Sequence, residues 1–279
     1  PYKRRMLIDQ LLLSDGYRSH LFNWMADLLR HREKLRRSNF NHYERWLKDQ
    51  IAQNSRWDDM VYKMLTAEGT LANSGPTGYL LRDPGMPLDN LSNTLNIFLS
   101  ANVSCAQCHD HPVAPEIEQR HYWGLVAFFN RSLNVKTPEG PHVAERASGG
   151  YDKFANLEGK ADQSQLILYS NKIITETGGK KTNDSAELYS VSPPKQWFRK
   201  LKKDEKLKKD LTSLPVPKFS RREAFAQSFT SDNPDFSRAI VNRLWALMFG
   251  RGLVHPVDLM DSAHPSSHPE LLAWLARDF

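Results

Sequence analysis

Apolar residues recur at helical spacing in the first part of the chain. The stretches "HLFNWMADLLRHR" and "FNHYERWLKDQI" each carry large apolar side chains three or four residues apart. This spacing places the apolar positions on one face of a helix. The pattern predicts helices over most of residues 4–67.

Two further helical patterns enclose a short segment rich in cysteine and histidine. From Asp89 onward the apolar positions predict a helix that ends just before this segment, and "EQRHYWGLVAFFNR" predicts another helix after it. The expected inward-facing residues are Leu91, Leu95, Phe98 and Leu99 in the first helix, and Tyr122, Leu125, Val126 and Phe129 in the second. The predicted order is therefore helix, turn, helix.

Residues 132–217 have a different pattern, because glycine, proline, serine and lysine interrupt every apolar run. Only "QLILYSNKIITET" indicates strands there, as a hairpin. Helical periodicity returns in "DNPDFSRAIVNRLWALMFGRG", with Asn233 as the expected cap and Pro234 in the first turn. A last helix is expected near Pro269, with Ser267 or His268 as its cap.

The predicted fold is mainly α, with a CxxCH turn between two helices of the first domain. We assign residues 1–131 to this helical domain and 132–217 to an irregular or small-β insert. Residues 218–279 then begin a second helical segment, truncated at the end of the chain.

Composition and charge exclude some classes of function. The chain has 279 residues, of which 40% are hydrophobic and 25% charged, with a formal net charge of +6. The basic residues lie beside acids, as in "RKLKKDEKLKK" at 199–209, which predicts a solvated helix or linker and no nucleic-acid partner. No apolar run is long enough to span a membrane. The sequence shows no signal peptide. Because both ends of the sequence are expected to be truncated, the lack of a signal peptide says nothing about where the protein is located.

The chemistry of the sequence concentrates in "SCAQCHDHP". Both cysteines of the chain, Cys105 and Cys108, stand here three residues apart, with His109 directly after them. In c-type haem attachment two thiols bond to the porphyrin edge and the following imidazole ligates the iron, and CxxCH is the minimal pattern for this. The spacing therefore favours covalent haem c, with His109 as the proximal iron ligand.

Three other interpretations of the motif remain open at this point. Zn²⁺ would be held by Cys105 and Cys108 with two of His109, His111 and His121, although these histidines follow the cysteines closely for a zinc finger. A thioredoxin-like dithiol would need the pair to follow a strand, and a helix is predicted there instead. A disulfide across this short spacing would be strained.

Further candidate ligands are weaker. As the distal iron ligand, on the side of the haem opposite His109, we favour His268. The alternative is an open coordination position on the iron. Arg120 is a candidate partner for a haem propionate, and Asp110 is expected to orient His111 or to bind a backbone amide. The other distal candidates are His121, His142, His255, His264, Met248 and Met260. The aromatic residues Tyr122, Trp123 and Phe128 would either wall a haem pocket or pack in the core.

The stretch "LNIFLSANVSCAQCHDHPVAPEIEQRHYWGLVAFF" resembles the signature of a large family of uncharacterised exported proteins of planctomycetes. "LIDQLLLSDGYRSHLFNWMADLLR" resembles the opening helices of that family. "DNPDFSRAIVNRLWALMFGRGLVHPVDLM" and "PSSHPELLAWLA" resemble the start of its usual C-terminal partner domain. The resemblance covers the chain except for its middle.

This resemblance implies an exported, periplasmic location, a neighbouring or fused cytochrome domain, and haem c in preference to zinc at the CxxCH motif. The first hypothesis is thus a periplasmic c-type haem protein that transfers electrons to a redox partner. The second is a haem-dependent oxidoreductase, peroxidase-like or oxygenase-like, linked to polysaccharide metabolism, with carbohydrate as a candidate partner. The third is a zinc-stabilised binding module without a redox role. Whether the chain is an enzyme stays open.

Overall fold

The computed structural model describes residues 2–35, 38–137, 140–176, 185–192, 215–231 and 233–279. The basic stretch 199–209, predicted to be a solvated helix or linker, lies outside these residues. The α-helices of the described residues are α1 (Tyr2–Leu12), α2 (Asp15–Leu28), α3 (Asn41–Ala52), α4 (Trp57–Thr66), α5 (Thr77–Leu81), α6 (Pro87–Leu99), α7 (Gln119–Phe129), α8 (Arg221–Ser231), α9 (Pro234–Phe249) and α10 (Pro269–Asp278). The mainly α prediction is confirmed.

The β structure is small and antiparallel. Its strands are β1 (Lys34–Leu35), β2 (Ser38–Asn39), β3 (Gly69–Thr70), β4 (Ser132–Thr137), β5 (Gly140–Glu145), β6 (Lys153–Ala155), β7 (Ala161–Gln163), β8 (Tyr189–Val191) and β9 (Val216–Pro217). One sheet has the order β3-β5-β4, and the remaining strands pair two by two as β1-β2, β6-β7 and β8-β9. Where the sequence predicts a hairpin, the described residues form one isolated antiparallel bridge, between Ile167 and Ile173. The hairpin of β4 and β5 was not predicted.

Helices α6 and α7 form as their apolar stripes predict. Pro87 occupies the first turn of α6, where its missing N–H costs no hydrogen bond, and Ser100 ends the helix in the left-handed conformation with φ of 56°. All eight residues predicted to face inward from these two helices are buried. Both helices thus lie against the core and fix the two ends of the segment between them.

One hydrophobic core spans the three sequence segments. It runs from Leu29 to Ile240 and includes Phe225 and Phe229 of α8 together with Phe98 of α6 and Phe128 of α7. Ring contacts join these elements, with 6.3 Å between the centroids of Phe98 and Phe229 and 5.6 Å between those of Phe128 and Phe225. A smaller cluster packs α9 against α10: Val241, Leu253, Val254 and Leu272. Asn233 caps α9 by accepting from the Asp235 N–H, as predicted.

A buried ion cluster, consisting of Arg131, Glu145, Glu176, Arg221 and Arg222, joins the end of α7 to the start of α8. Every one of these side chains is at most 2% exposed. The Glu176 carboxylate lies 2.7 Å from a guanidinium nitrogen of Arg131 and 2.6 Å from one of Arg221. Glu145 accepts the Arg221 backbone N–H at 2.7 Å. Because a buried charge is costly without partners, this cluster ties the segments together.

Backbone carbonyls accept further hydrogen bonds from the arginines in the cluster. Arg221 donates to the carbonyls of Ala127, Gly149 and Gly150 at 2.7–2.9 Å, and Arg222 donates to that of Ala67 at 2.7 Å.

The domain borders predicted at 131 and 218 stay a prediction, because the hydrophobic core and the ion cluster both cross them. Among the described helices, none combines the length and the apolar character that crossing a membrane requires.

Candidate functional site

The CxxCH motif lies on an exposed turn between α6 and α7. Ser104–Gln107 form a single 3₁₀ turn, and the backbone N–H groups of Cys108 and His109 both donate to the Cys105 carbonyl, at 3.2 and 3.3 Å. Ala106 points into the core and is fully buried. Both cysteine side chains are exposed free thiols. The turn is therefore anchored by its middle residue, and its two sulfur atoms face solvent.

The two histidines of the motif have opposite hydrogen-bonding arrangements. The Nδ1 atom of His109 lies 2.7 Å from the Asp110 carbonyl oxygen, which can only accept, so this Nδ1 carries the proton. The Nδ1 atom of His111 accepts the Ala114 backbone N–H at 3.0 Å, so in the neutral ring its proton lies on Nε2. Of this pair, neutral His109 is the one whose Nε2 lone pair can reach a metal.

Asp110 binds a backbone amide, which is one of its two predicted roles. Its Oδ1 accepts the Gln119 N–H at 2.8 Å and so satisfies the first free donor of α7. The Gln119 side chain in turn donates to the Ala155 carbonyl at 3.0 Å. The His111 N–H donates to the Ile117 carbonyl at 2.9 Å. These bonds hold the loop from the motif to α7 in one conformation.

The C-terminal segment lies against both ends of this loop. The carboxylate of Glu116 accepts the N–H and the hydroxyl of Ser262, both at 2.8 Å, and the Met260 N–H donates to the Ser100 carbonyl at 2.7 Å. Burial works against ionisation of Glu116, but hydrogen bonds from its own N–H and from Ser262, with the nearby His111, outweigh it and lower its pKa. No sequence pattern indicated this contact across 146 residues.

Three of the remaining candidate residues, Arg120, His268 and His264, have partners of their own, whereas the Nε2 atom of His121 is buried without a hydrogen-bond partner among the described residues. Arg120 is exposed and pairs with Glu118, its neighbour at the start of α7. His268 stands at the predicted cap position of α10, but it makes no side-chain capping bond, and its Nδ1 lies 3.1 Å from the Ser267 hydroxyl. The Nδ1 atom of His264 lies 2.7 Å from the Asp261 Oδ1 atom. The roles of Arg120 as a propionate partner and of His268 as a distal ligand stay predictions.

The three aromatic residues predicted to wall a haem pocket or to pack in the core differ in their exposure. Phe128 and Tyr122 are buried in the core. Burial raises the pKa of Tyr122; the side-chain hydrogen bond with Ser92 acts against this shift, and the charge of Asp89 acts with it. Trp123 is half-buried, and its indole Nε1 donates to the Gln107 carbonyl inside the motif at 3.2 Å. Of these three aromatic residues, Trp123 is therefore the one that is partly exposed and bonds directly to the motif.

The turn carries the side-chain groups that a c-type haem would need. Haem c needs two accessible thiols and one imidazole with a free Nε2, and Cys105, Cys108 and His109 supply these groups. Zinc would instead need its donors to converge on one point. Within the described ranges no group of three or more His, Cys, Asp or Glu side chains is placed to hold a metal ion. The zinc alternative stays a prediction.

Comparison with protein families divides the chain into two matched parts. Residues 1–134, which carry the helical region and the CxxCH turn, match a family model described as a protein of unknown function (DUF1549, PSCyt2). Residues 221–279 match a second model, also described as a protein of unknown function (DUF1553, PSD1). Their order agrees with the two-part resemblance found in the sequence. No curated protein and no solved structure matches the chain.

Proposed function

We propose that this chain is a c-type haem protein, with the haem bonded to Cys105 and Cys108 and its iron ligated by His109. Each thiol would add across one vinyl group of the porphyrin, sulfur to one carbon and hydrogen to the other. A haem bound there supplies a one-electron redox centre. Electron transfer to a redox partner, a separate protein or a fused cytochrome domain, is the function that we infer from this arrangement.

The observation that carries the proposal is the hydrogen bond from His109 Nδ1 to the Asp110 carbonyl. This bond leaves Nε2 as the free nitrogen and fixes the ring orientation, which is how proteins commonly prepare a metal-binding histidine. The neighbouring His111 serves the loop backbone instead. Exposure of both thiols gives the attachment reaction access to them.

The exported location belongs to the same proposal. Covalent haem attachment and the family resemblance both favour a periplasmic address. The haem-dependent oxidoreductase acting on polysaccharide is the alternative within the haem class, and it differs in having an open iron position. The zinc-stabilised binding module is the alternative outside that class.

The first test is the optical spectrum of the chain produced in a host with c-haem maturation machinery. We expect a Soret band, a pyridine haemochrome spectrum typical of haem c, and haem that stays with the protein in acid–acetone. Zinc in elemental analysis with no Soret band would overturn the proposal. A low-spin spectrum that does not change with cyanide supports electron transfer, and a high-spin, cyanide-binding spectrum supports the oxidoreductase.

Matched variants of the two histidines test the ligand assignment. His109→Ala should lose the native haem spectrum, because the proximal nitrogen is removed. His111→Ala should keep that spectrum, because its ring bonds only to the loop backbone in this region. Equal effects of the two substitutions would contradict the assignment of His109. His268→Ala tests the distal ligand in the same way, and an unchanged spectrum would exclude His268.

A further inference from the structure

An open cleft lies beside the motif turn, between the start of α6, the middle and end of α7, and strand β6. Its volume is about 440 Å³, within the range of roughly 300–1,000 Å³ typical of small-molecule sites. We call it the Trp123 cleft. Its lining residues are Gly85, Met86, Pro87, Leu88, Asp89, Trp123, Asn130, Asp152 and Lys153. Cys105, Cys108 and His109 are not among them, although Trp123 of the lining bonds to Gln107 of the motif.

The apolar part of the cleft is held rigidly. The Trp123 indole is fixed at its polar edge by the hydrogen bond from Nε1 to the Gln107 carbonyl. Phe154 stacks on it with 6.0 Å between ring centroids and 7° between planes. Because the N–H is already bonded, what Trp123 offers to a ligand is carbon surface. A preformed aromatic surface binds flat apolar faces at little entropic cost.

The polar part of the cleft is fixed as well. Asn130 donates from its side-chain amide to the Asp152 carboxylate, and the Asp152 N–H donates to the Ser164 hydroxyl at 2.8 Å. Asp89, in the first turn of α6, adds a second carboxylate, and Lys153 adds one ammonium group. The charged lining therefore holds two negative groups and one positive group, which disfavours an anionic ligand.

We propose that the Trp123 cleft binds a neutral polyhydroxylated ligand, namely a saccharide the size of one or two sugar rings. Hydroxyl groups both donate and accept, so they suit carboxylates and an ammonium group side by side. The C–H face of a sugar ring suits the carbon surface of the indole. A cationic ligand would be attracted by the two carboxylates, but Asp152 is already bonded to Asn130 and Lys153 would repel the cation. The parallel stack of Trp123 and Phe154 also forms no aromatic cage for it.

The test measures binding of named neutral disaccharides to the full chain, both with and without attached haem. Cellobiose, maltose and xylobiose are the probes, followed by saturation-transfer NMR and titration calorimetry, with glucuronate and choline as the anionic and cationic comparisons. We expect at least one neutral disaccharide to bind and the two charged probes not to bind. Binding without haem would show that the cleft acts independently of the proposed redox centre.

Matched tryptophan variants place the binding in the cleft. Trp123→Ala should weaken binding at least tenfold, whereas Trp274→Ala, at a 56% exposed tryptophan outside the cleft, should leave binding unchanged. Asp89→Ala, at an exposed lining position, should also weaken binding and serves if Trp123→Ala fails to fold. Absence of binding by all three disaccharides, binding of choline in their place, or equal affinity in the lining variants would overturn the proposal.

Discussion

The buried ion cluster and the CxxCH turn are both built from polar side chains, yet the two regions treat these groups in opposite ways. In the cluster, Glu176 and Arg221 are essentially inaccessible, and each makes several short bonds. On the turn, Cys105 and Cys108 are exposed free thiols, and His109 has one ring nitrogen bonded to the adjacent carbonyl. The first region holds the fold together, and the second leaves its reactive atoms accessible to solvent.

This difference predicts how each region responds to substitution. Removal of one member of a buried ion pair leaves the other charged and unpaired in the interior, which is strongly destabilising. Exposed side chains that bond little within the protein can change with small effects on stability. A substitution that unfolds the chain and one that only abolishes a function should therefore fall in different regions.

Glu176→Gln should have the largest effect. It removes the charge that faces both Arg131 and Arg221, so the free energy of unfolding should fall by about 3–5 kcal/mol, as for other broken buried pairs. Urea denaturation followed by circular dichroism measures this. Glu158→Gln, at an exposed position, is the control and should change stability little. A loss below about 1 kcal/mol would mean that the cluster does not hold the segments together.

The same carboxylate makes stability depend on pH. Burial opposes ionisation of Glu176, but hydrogen bonds and charge from Arg221, with Tyr151 and Arg131, lower its pKa below the ordinary value of 4.5. The native state thus binds its proton only at lower pH than the unfolded state does. The stabilisation is fully present above about pH 4.5 and is lost as the pH falls through the lowered value.

Denaturation curves from pH 7 to pH 3 should show this loss in the wild-type chain and a flatter dependence in Glu176→Gln. The comparison is made as a difference between the two proteins, because other carboxylates, Glu116 among them, add to the acid limb in both. Parallel curves for the two proteins would show that Glu176 is not the group responsible.

Gly124→Ala should have an intermediate effect. A Cβ atom at Gly124 of α7 would lie 2.9 Å from Ile167 Cβ and 3.0 Å from the Gln165 carbonyl oxygen, too close to be accommodated without movement. Overpacking of this kind typically costs about 1–3 kcal/mol. Gly16→Ala in α2 is the control, because its nearest neighbour would be at 3.7 Å and alanine favours helix. An unchanged unfolding free energy in Gly124→Ala would show that residues 165–167 do not pack firmly on α7.

The sequence predicted those parts of the structure that depend on near neighbours. The apolar stripes of α6 and α7 and the Asn233 cap follow from spacing of a few residues, and the structure has them. The start of α8 also carries a local sequence signal. Ser220 and Glu223 have capping-box spacing, and the Ser220 hydroxyl accepts the Glu223 N–H.

The buried ion cluster could not be predicted in this way. Glu176 and Arg221 are 45 residues apart, and nothing near Arg221 and Arg222 distinguishes them from a solvated basic pair. The hydrogen-bonding arrangements of His109 and His111 were also hidden, because each depends on which backbone group the folded loop places beside Nδ1. The motif was visible in the sequence, whereas the difference between its two histidines required the fold.

The smallest effect on stability is expected for the double substitution Cys105→Ser and Cys108→Ser. Both side chains are exposed, and the turn is anchored by buried Ala106, so the unfolding free energy of the haem-free chain should change by no more than about 0.5 kcal/mol. Covalent haem should be absent from this variant when it is produced with the maturation machinery. Denaturation and the acid–acetone assay on the same preparations separate the two effects. A large loss of stability in the haem-free variant would place the cysteines with the buried ion cluster, as parts of the fold, and remove the contrast between the two regions.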